Sequence, residues 1–322
     1  SERVYKMDRN KRNICIENID VDEAKERYYE KLNIKPSWEE VNVTESLNRV
    51  TFEAVYALVS SPNYNAAAMD GIAVKSSDTV GTTEMNPKIL EEGKDFIYIN
   101  TGNPMMDPFD AVIMIEDVIE LGEGKVQILS AAHPWQHVRP IGEDIVATEM
   151  IIPSKHKIRT IDIGALISGG IVKVKVYKKP RIGIIPTGTE IIENIEELET
   201  GKIIDSNSRV FEALVFENGG IAHRYSPVED DYDKLKTAIK KAVGENDILI
   251  IGAGSSAGSK DFTVNIIREL GEVVIHGVAM KPGKPTILGI IDGKPVIGIP
   301  GYPVSAYLVF DTFVTPLILR FI

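Results

Sequence analysis

Three acidic positions follow apolar runs of the kind that end buried strands. Ile185 leads into Pro186-Thr187-Gly188-Thr189-Glu190, and Tyr225 leads toward Glu229-Asp230-Asp231. Ile251 leads into a glycine-rich turn, Gly252-Ala-Gly254-Ser255-Ser256-Ala-Gly258-Ser-Lys-Asp261. Open α/β sheets bind ligands just beyond the carboxyl ends of their strands, so chemistry is expected at these positions. Singly, each acid also suits a helix N-cap. Converging, they would repel one another unless a divalent cation or a shared proton compensates. Oxygen-only donors of this kind suit Mg²⁺. The glycines let backbone approach a ligand, and the hydroxyls and N–H groups can bond phosphate. Lys281-Pro-Gly-Lys284-Pro adds two ammonium groups on a stiffened loop, suited to a phosphate or an oxyanion. Carboxylates and lysines around a glycine turn point to a phosphorylated ligand held through metal and cation together.

The first half of the chain offers Asn65-Ala-Ala-Ala-Met69-Asp70-Gly71, Thr101-Gly-Asn-Pro and Gly142-Glu-Asp144. His133 and His137 are four apart, but Pro134 between them argues against a helical metal pair. The glycine turn has the wrong spacing for a dinucleotide fingerprint, and neither a Walker A loop nor a Gly-x-Ser-x-Gly elbow is present. Cys15, the one cysteine, can neither close an intramolecular disulfide nor build a thiolate metal site, which fits a reducing cytoplasm. With 36 Lys and Arg against 47 Asp and Glu, the net charge is −11. A generic nucleic-acid binder would carry the opposite balance. The apolar run Val304–Ile322 is interrupted by Asp311, Pro316 and Arg320 and reads as a buried terminal helix, so no membrane partner is expected.

These groups need elements to hold them. Asp20 can cap a helix with Glu23 completing a capping box and Ala24, Tyr28 and Leu32 on one face; Pro36 ends it. Residues 41–138 read as a mainly β domain of short β-branched runs: Phe96–Asn100, Ala111–Val118 and Lys125–Leu129. A helix-like Ile158–Ser168 and a strand Val172–Tyr177 follow. Residues 1–40 with 139–178 are therefore expected to form a small mixed α+β linker or dimerisation domain. Residues 179–322 read as a doubly wound α/β domain. Its strands are Arg181–Ile185, Ile221–Tyr225, Asp247–Ile251, Glu272–Val278 and Pro295–Ile299. Helices at Asn207–Glu217, Asp233–Val243 and Thr263–Leu270 alternate with them. The fold class is multidomain α/β plus β.

Together the motifs resemble the molybdopterin molybdotransferase family, the MoeA-like proteins that include the E domain of gephyrin. In order they are Met69-Asp-Gly-Ile-Ala73, Thr101-Gly-Asn-Pro, Gly142-Glu-Asp-Ile, Pro186-Thr-Gly-Thr-Glu190 and Asp205-Ser-Asn207. The Gly252–Asp261 turn, Lys281-Pro-Gly-Lys284-Pro and Pro300-Gly-Tyr-Pro303-Val-Ser305-Ala complete them. The resemblance spans residues 14–320. It implies an elongated, cytoplasmic, metal-dependent transferase in molybdenum cofactor biosynthesis. In that reaction adenylylated molybdopterin is cleaved, AMP leaves, and molybdate is inserted at the dithiolene sulfurs with Mg²⁺ or another divalent cation.

By that resemblance Asp70, Thr101, Asp144, Glu190, Asp230 and Asp261 are the catalytic set, with Asp144, Glu190, Asp230 and Asp261 on the metal. The cofactor-binding set comprises Thr187, Gly188, Asn207, Gly252, Gly254, Ser255, Ser256, Gly258, Lys281, Lys284, Pro303 and Ser305. A homodimer is implied, with Asp70, Thr101 and Asp144 of one subunit opposite Glu190, Asp230 and Asp261 of the other. Contact with the molybdopterin adenylyltransferase is a further implied partnership. Departures from the family pattern are Ala67, Ile72, Thr189, Ala253 and Tyr302. The family's small C-terminal β domain is expected to begin about where this chain stops. Two other readings are a non-catalytic scaffold of the gephyrin type and an insertase specific for tungstate.

Overall fold

The computed structural model describes residues 17–252 and 257–322, and the side chains of all of these except 257–261. Cys15, Gly254, Ser255 and Ser256 lie outside the described residues, as does the side chain of Asp261, and only the backbone is described at Gly258. The chain folds as two units, 17–39 with 177–322 and 40–176.

In chain order the first elements are helix α1 (Val21–Glu30) and strands β1 (Trp38–Asn42), β2 (Val55–Tyr56), β3 (Ala66–Ala67) and β4 (Gly71–Val74). Strands β5 (Lys88–Glu91), β6 (Phe96–Ile99), β7 (Ala111–Met114), β8 (Val118–Gly122) and β9 (Lys125–Ile128) follow. Then come β10 (Val138–Arg139), β11 (Met150–Ile152), helix α2 (Thr160–Ser168) and β12 (Lys173–Tyr177).

The unit 40–176 is mainly antiparallel. Two three-stranded sheets, ordered β6-β4-β7 and β5-β9-β8, share a core of Ile72, Val74, Leu90, Phe96, Ile113, Val126 and Ile128. Gly71 opens β4 because a Cβ there would sit 1.9 Å from the Ile113 carbonyl oxygen. The glycine of the Asp-Gly motif thus serves strand packing, while its neighbour Asp70 stays exposed.

A second core joins Val43, Ile152, Ile158, Leu166, Val174 and Val176 around α2. At the start of that helix Asp162, only 4% exposed, accepts the Arg159 backbone N–H at 2.8 Å. It also accepts the Arg159 guanidinium at 2.8 Å and faces His156 Nε2 at 2.6 Å. The guanidinium, opposed by burial and aided by His156 and the backbone N–H, holds the Asp162 carboxyl well below the usual carboxylate range. A carboxyl held low in the folded chain contributes stability that is present above its unfolded value, near pH 4, and lost as pH falls from there. The urea midpoint of this unit is therefore expected to drop steeply below about pH 4. Asp162→Asn should lower the midpoint at neutral pH and flatten that acid limb. An acid limb unchanged in the variant would remove Asp162 as its cause.

The other unit holds β13 (Arg181–Pro186), β14 (Ile191–Ile192), β15 (Ile203–Ile204), α3 (Asn207–Glu217), β16 (Ile221–Arg224), α4 (Tyr232–Glu245) and β17 (Ile248–Gly252). It continues with α5 (Ala257–Leu270), β18 (Glu272–His276), β19 (Ile287–Ile291), β20 (Lys294–Ile299), α6 (Pro303–Val309) and α7 (Thr315–Leu319). Six strands are ordered β16-β13-β17-β20-β19-β18. The first four run parallel, and β19 pairs antiparallel with both β20 and β18. Strand alternation sorts the apolar runs onto two faces. Ile182, Ile184, Ile248 and Ile250 pack under α3, α6 and α1, while Ile185, Leu249 and Ile251 pack under α4 and α5. Continuous apolar runs are what a sheet covered on both faces demands.

α1 belongs to this unit rather than with residues 139–178. Its Ala24 and Tyr28 are fully buried in the sheet's core, and the Tyr28 hydroxyl donates to the Gly289 carbonyl at 2.8 Å. Asp20 caps the helix as expected, accepting the N–H groups of Asp22 and Glu23. Glu23, however, pairs with Arg27 in the next turn, so the reciprocal half of the capping box is unmade. The terminal segment is helical and buried, α6 and α7 being joined by a wider π turn over Phe310–Val314. Arg320 fastens it to α1 by stacking 4.1 Å over the Tyr29 ring. No helix among the described residues is long and apolar enough to cross a membrane.

Candidate functional site

In the α/β unit the expected residues gather where parallel strands end. Thr187, one residue past β13, donates both its N–H and its hydroxyl to the Gly252 carbonyl, each at 2.8 Å. This stitches the ends of β13 and β17 together. Gly188 donates to the Val228 carbonyl at 3.0 Å, bringing the Asp230 segment alongside. The φ of Gly188 is +137°, and a Cβ there would meet the Glu190 carboxylate at 2.6 Å. The glycine is required both by the backbone and by the acid folded back over it. Thr189 donates its hydroxyl to Asp230 Oδ2 at 3.2 Å, linking the two acidic strand ends. The neighbouring Asp231 serves the helix instead, capping α4 by accepting the Lys234 N–H at 2.9 Å. Sequence alone leaves either of these aspartates as the cap; the structure separates them.

Beside this cluster lies a cavity of about 150 Å³. Thr187, Asn207, Gly252 and Pro303 line it, together with Ile191, Ile203 and Ile204 from the segment between β13 and α3. The lining is mostly apolar with a few polar groups, as small-molecule sites commonly are. Asn207 supports it by donating to the Gly301 carbonyl at 2.8 Å, which ties the start of α3 to the turn before α6. Gly188 and Thr189 face an adjoining polar groove that includes Lys202 and Glu229. Glu190, Asp230, Lys281, Lys284 and Ser305 do not line the cavity itself. The two lysines are exposed on the loop after β18, and Ser305 is buried in α6.

The unit 40–176 carries a second cluster, organised by Asn65. Its side-chain oxygen accepts the Ile141 N–H at 3.0 Å, and its carbonyl accepts the Met105 N–H at 2.8 Å. Asn65 thereby draws together the segments bearing Asp70, Thr101 and Asp144. Asp70 Oδ1 accepts the Thr101 N–H at 2.6 Å. That bond, with a lesser one from the Thr101 hydroxyl, holds the Asp70 carboxyl below its ordinary value and keeps it ionised. Asp144 is exposed and accepts Arg139 at 2.8 Å, while Glu143 takes the same guanidinium at 2.5 Å. His133 and His137 fall in a turn with no helix between them. Among the described residues, no three His, Cys, Asp or Glu side chains come together as a ready metal cage.

The sequence reading does not single out Arg224 on β16 or Glu193 after β14. They form an ion pair at 2.6 Å, and Arg224 also lies 3.6 Å from Asp205 at the start of α3. The available signal is an arginine within a strand that a two-faced sheet would fill with apolar residues.

A six-stranded α/β unit with a polar cluster at its strand ends accompanies a mainly antiparallel β unit. Two family descriptions match the chain: "MoeA N-terminal region (domain I and II)" over residues 19–170 and "Probable molybdopterin binding domain" over residues 183–320. A protein of Methanocaldococcus jannaschii, provisionally named for molybdopterin biosynthesis, is 40% identical over 90% of this chain and 76% of its own. The molybdopterin molybdenumtransferase of Haemophilus influenzae is 29% identical over 94% of this chain and 77% of its own. A solved MoeA protein of Pyrococcus horikoshii superposes with a TM-score of 0.84 at 35% identity, covering 94% of this chain and 80% of that one. The chain belongs to the MoeA family of molybdopterin biosynthesis proteins.

Proposed function

We propose that the protein is the transferase that completes the molybdenum cofactor, cleaving adenylylated molybdopterin, releasing AMP and inserting molybdate at the dithiolene. The observation that carries this reading is the joining of Glu190 and Asp230, through Gly188 and Thr189, beside the Thr187–Asn207–Gly252 cavity. In it the cavity seats the pterin. Lys281 and Lys284 approach the phosphates or the incoming oxyanion from the exposed loop.

The oxygen-only set Glu190, Asp230, Asp261 and Asp144 fits a hard divalent cation, Mg²⁺ by preference. When bound, such an ion would offset the charge of the pyrophosphate and let the acids stand close. Glu190 and Asp230 orient the phosphate link from this chain's α/β unit. A second copy would supply Asp70, whose carboxyl Thr101 holds below its ordinary value, together with Thr101 and Asp144.

The test is AMP release from adenylylated molybdopterin with Mg²⁺, with and without molybdate. Release that rises with molybdate is expected. Binding of the substrate without any molybdate-dependent release would overturn the transferase reading in favour of a molybdopterin-binding scaffold. Competition by tungstate decides which oxyanion is preferred.

A further inference from the structure

One wall of the cavity is a short ribbon that cannot hold its own shape. Residues 188–206 leave β13 and return as α3, and their only paired strands, β14 and β15, are two residues each. Isolated two-stranded pairs of this length are not stable in water. The ribbon's apolar side chains are unevenly covered: Ile192 is buried, but Ile203 is 50% and Ile204 36% exposed. Yet Ile191, Ile203 and Ile204 must stay in place to form the cavity wall.

We propose that Arg224 is a positioning residue that clamps this ribbon shut and so sets the affinity of the cavity for molybdopterin; the identity of the ligand rests on the function proposed above. The guanidinium reaches the exits of both ribbon strands at once. Glu193, immediately after β14, accepts from Arg224 at 2.6 Å. Asp205, immediately after β15, has its Oδ2 3.6 Å from the same nitrogen. Asp205 in turn accepts the N–H and the hydroxyl of Ser208, which fixes the first turn of α3. Arg224 and Asp205 are largely out of water, their side chains 15% and 6% exposed, while Glu193 is a third exposed. Asp205 lines the cavity, whereas Arg224 does not.

Removing the cation would leave the nearly buried Asp205 carboxylate facing the partly exposed Glu193 carboxylate across the ribbon, and their repulsion would part the strands. A lysine would restore the charge, but as a compact, strongly hydrated ammonium on a flexible stem rather than a rigid, weakly hydrated guanidinium. The clamp acts on the shape of the site rather than on the reacting bonds, so its loss falls on binding and KM more than on kcat.

The experiment is calorimetric titration of the full chain with molybdopterin, using wild type, Arg224→Met, Arg224→Lys and Glu193→Gln, each checked for fold by circular dichroism. Arg224→Met is expected to weaken binding roughly ten- to hundredfold, the scale of losing a charge-assisted hydrogen bond. Arg224→Lys and Glu193→Gln should fall between it and wild type. Wild-type binding matched by Arg224→Met would overturn the proposal, as would an equal loss in kcat and in affinity. Should Arg224→Met not fold, Glu193→Gln decides, since it removes one charge of the pair and leaves the arginine in place. Should wild type itself not bind molybdopterin, the functional reading fails. The clamp is then judged by limited proteolysis: faster cutting within residues 193–203 of Arg224→Met supports it, and equal rates refute it.

Discussion

Glu190→Gln is expected to lower molybdate-dependent AMP release by about 10²- to 10³-fold, the range for removing a charged group aimed at a reacting centre. The substitution keeps the size and shape of the side chain and deletes its charge. Glu190 is only half-buried, so its loss should leave the melting temperature nearly unchanged. A companion change isolates geometry from charge. Gly188→Ala keeps the carboxylate but places a methyl where Glu190 now lies, 2.6 Å away, at a φ of +137° that alanine resists. Both variants should lose rate while retaining the fold, measured as initial AMP release alongside thermal unfolding. A Glu190→Gln protein with the full wild-type rate would remove this residue from the machinery.

Phe310→Ala should have the largest effect on stability. Phe310 stacks on Phe211 with ring centroids 5.4 Å apart and planes 17° from parallel. Both rings are essentially inaccessible to water, and they join the terminal helix to α3 beneath the sheet. Truncating a buried phenylalanine costs about 3–5 kcal/mol through lost transfer energy and the cavity left behind. For a unit of this size, that corresponds to a fall in Tm of roughly 6–20 °C, measurable by scanning calorimetry. Because Phe211 also lines the cavity, the same variant should bind molybdopterin more weakly. A Tm shift of less than about 2 °C would mean that the site collapses around the missing ring, contrary to the rigid packing inferred here.

How far the sequence revealed this arrangement depended on how local each signal was. The runs Ile182–Ile185 and Ile248–Ile251 betray buried parallel strands because both faces of the sheet are covered, which removes polar alternation. Helix α3 was legible over its full Asn207–Glu217 span. Strand β19 was passed over, although Asp292-Gly293 between two apolar runs is a strong hairpin signal. In the site, Glu190 and Asp230 could be picked out because each follows a strand end. Their link through Thr189 could not be read, because 41 residues separate Thr189 from Asp230. Arg224, Glu193 and Asp205 were hidden for the same reason: pairing is a property of the folded sheet, not of spacing. The placement of α1 was misjudged because helical periodicity tells which face is buried but not what buries it.

The connection of α1 to its sheet has a consequence for synthesis. Tyr28 and its partner Gly289 are 261 positions apart, so the helix leaves the ribosome long before its docking surface exists. Residues 40–176 lie between as a self-contained insertion, and the strands at its neck, β1 and β12, pair with each other. Once that neck forms, the insertion no longer counts toward the loop that must close, which roughly halves its length and lowers the closure cost by about 0.6 kcal/mol. The insertion can complete its own cores while the later strands are still being made. The apolar face of α1 meanwhile waits for β18, β19 and the terminal helix, the last parts of the chain described here to emerge. The nascent protein thus carries an uncovered apolar helix face through most of its translation.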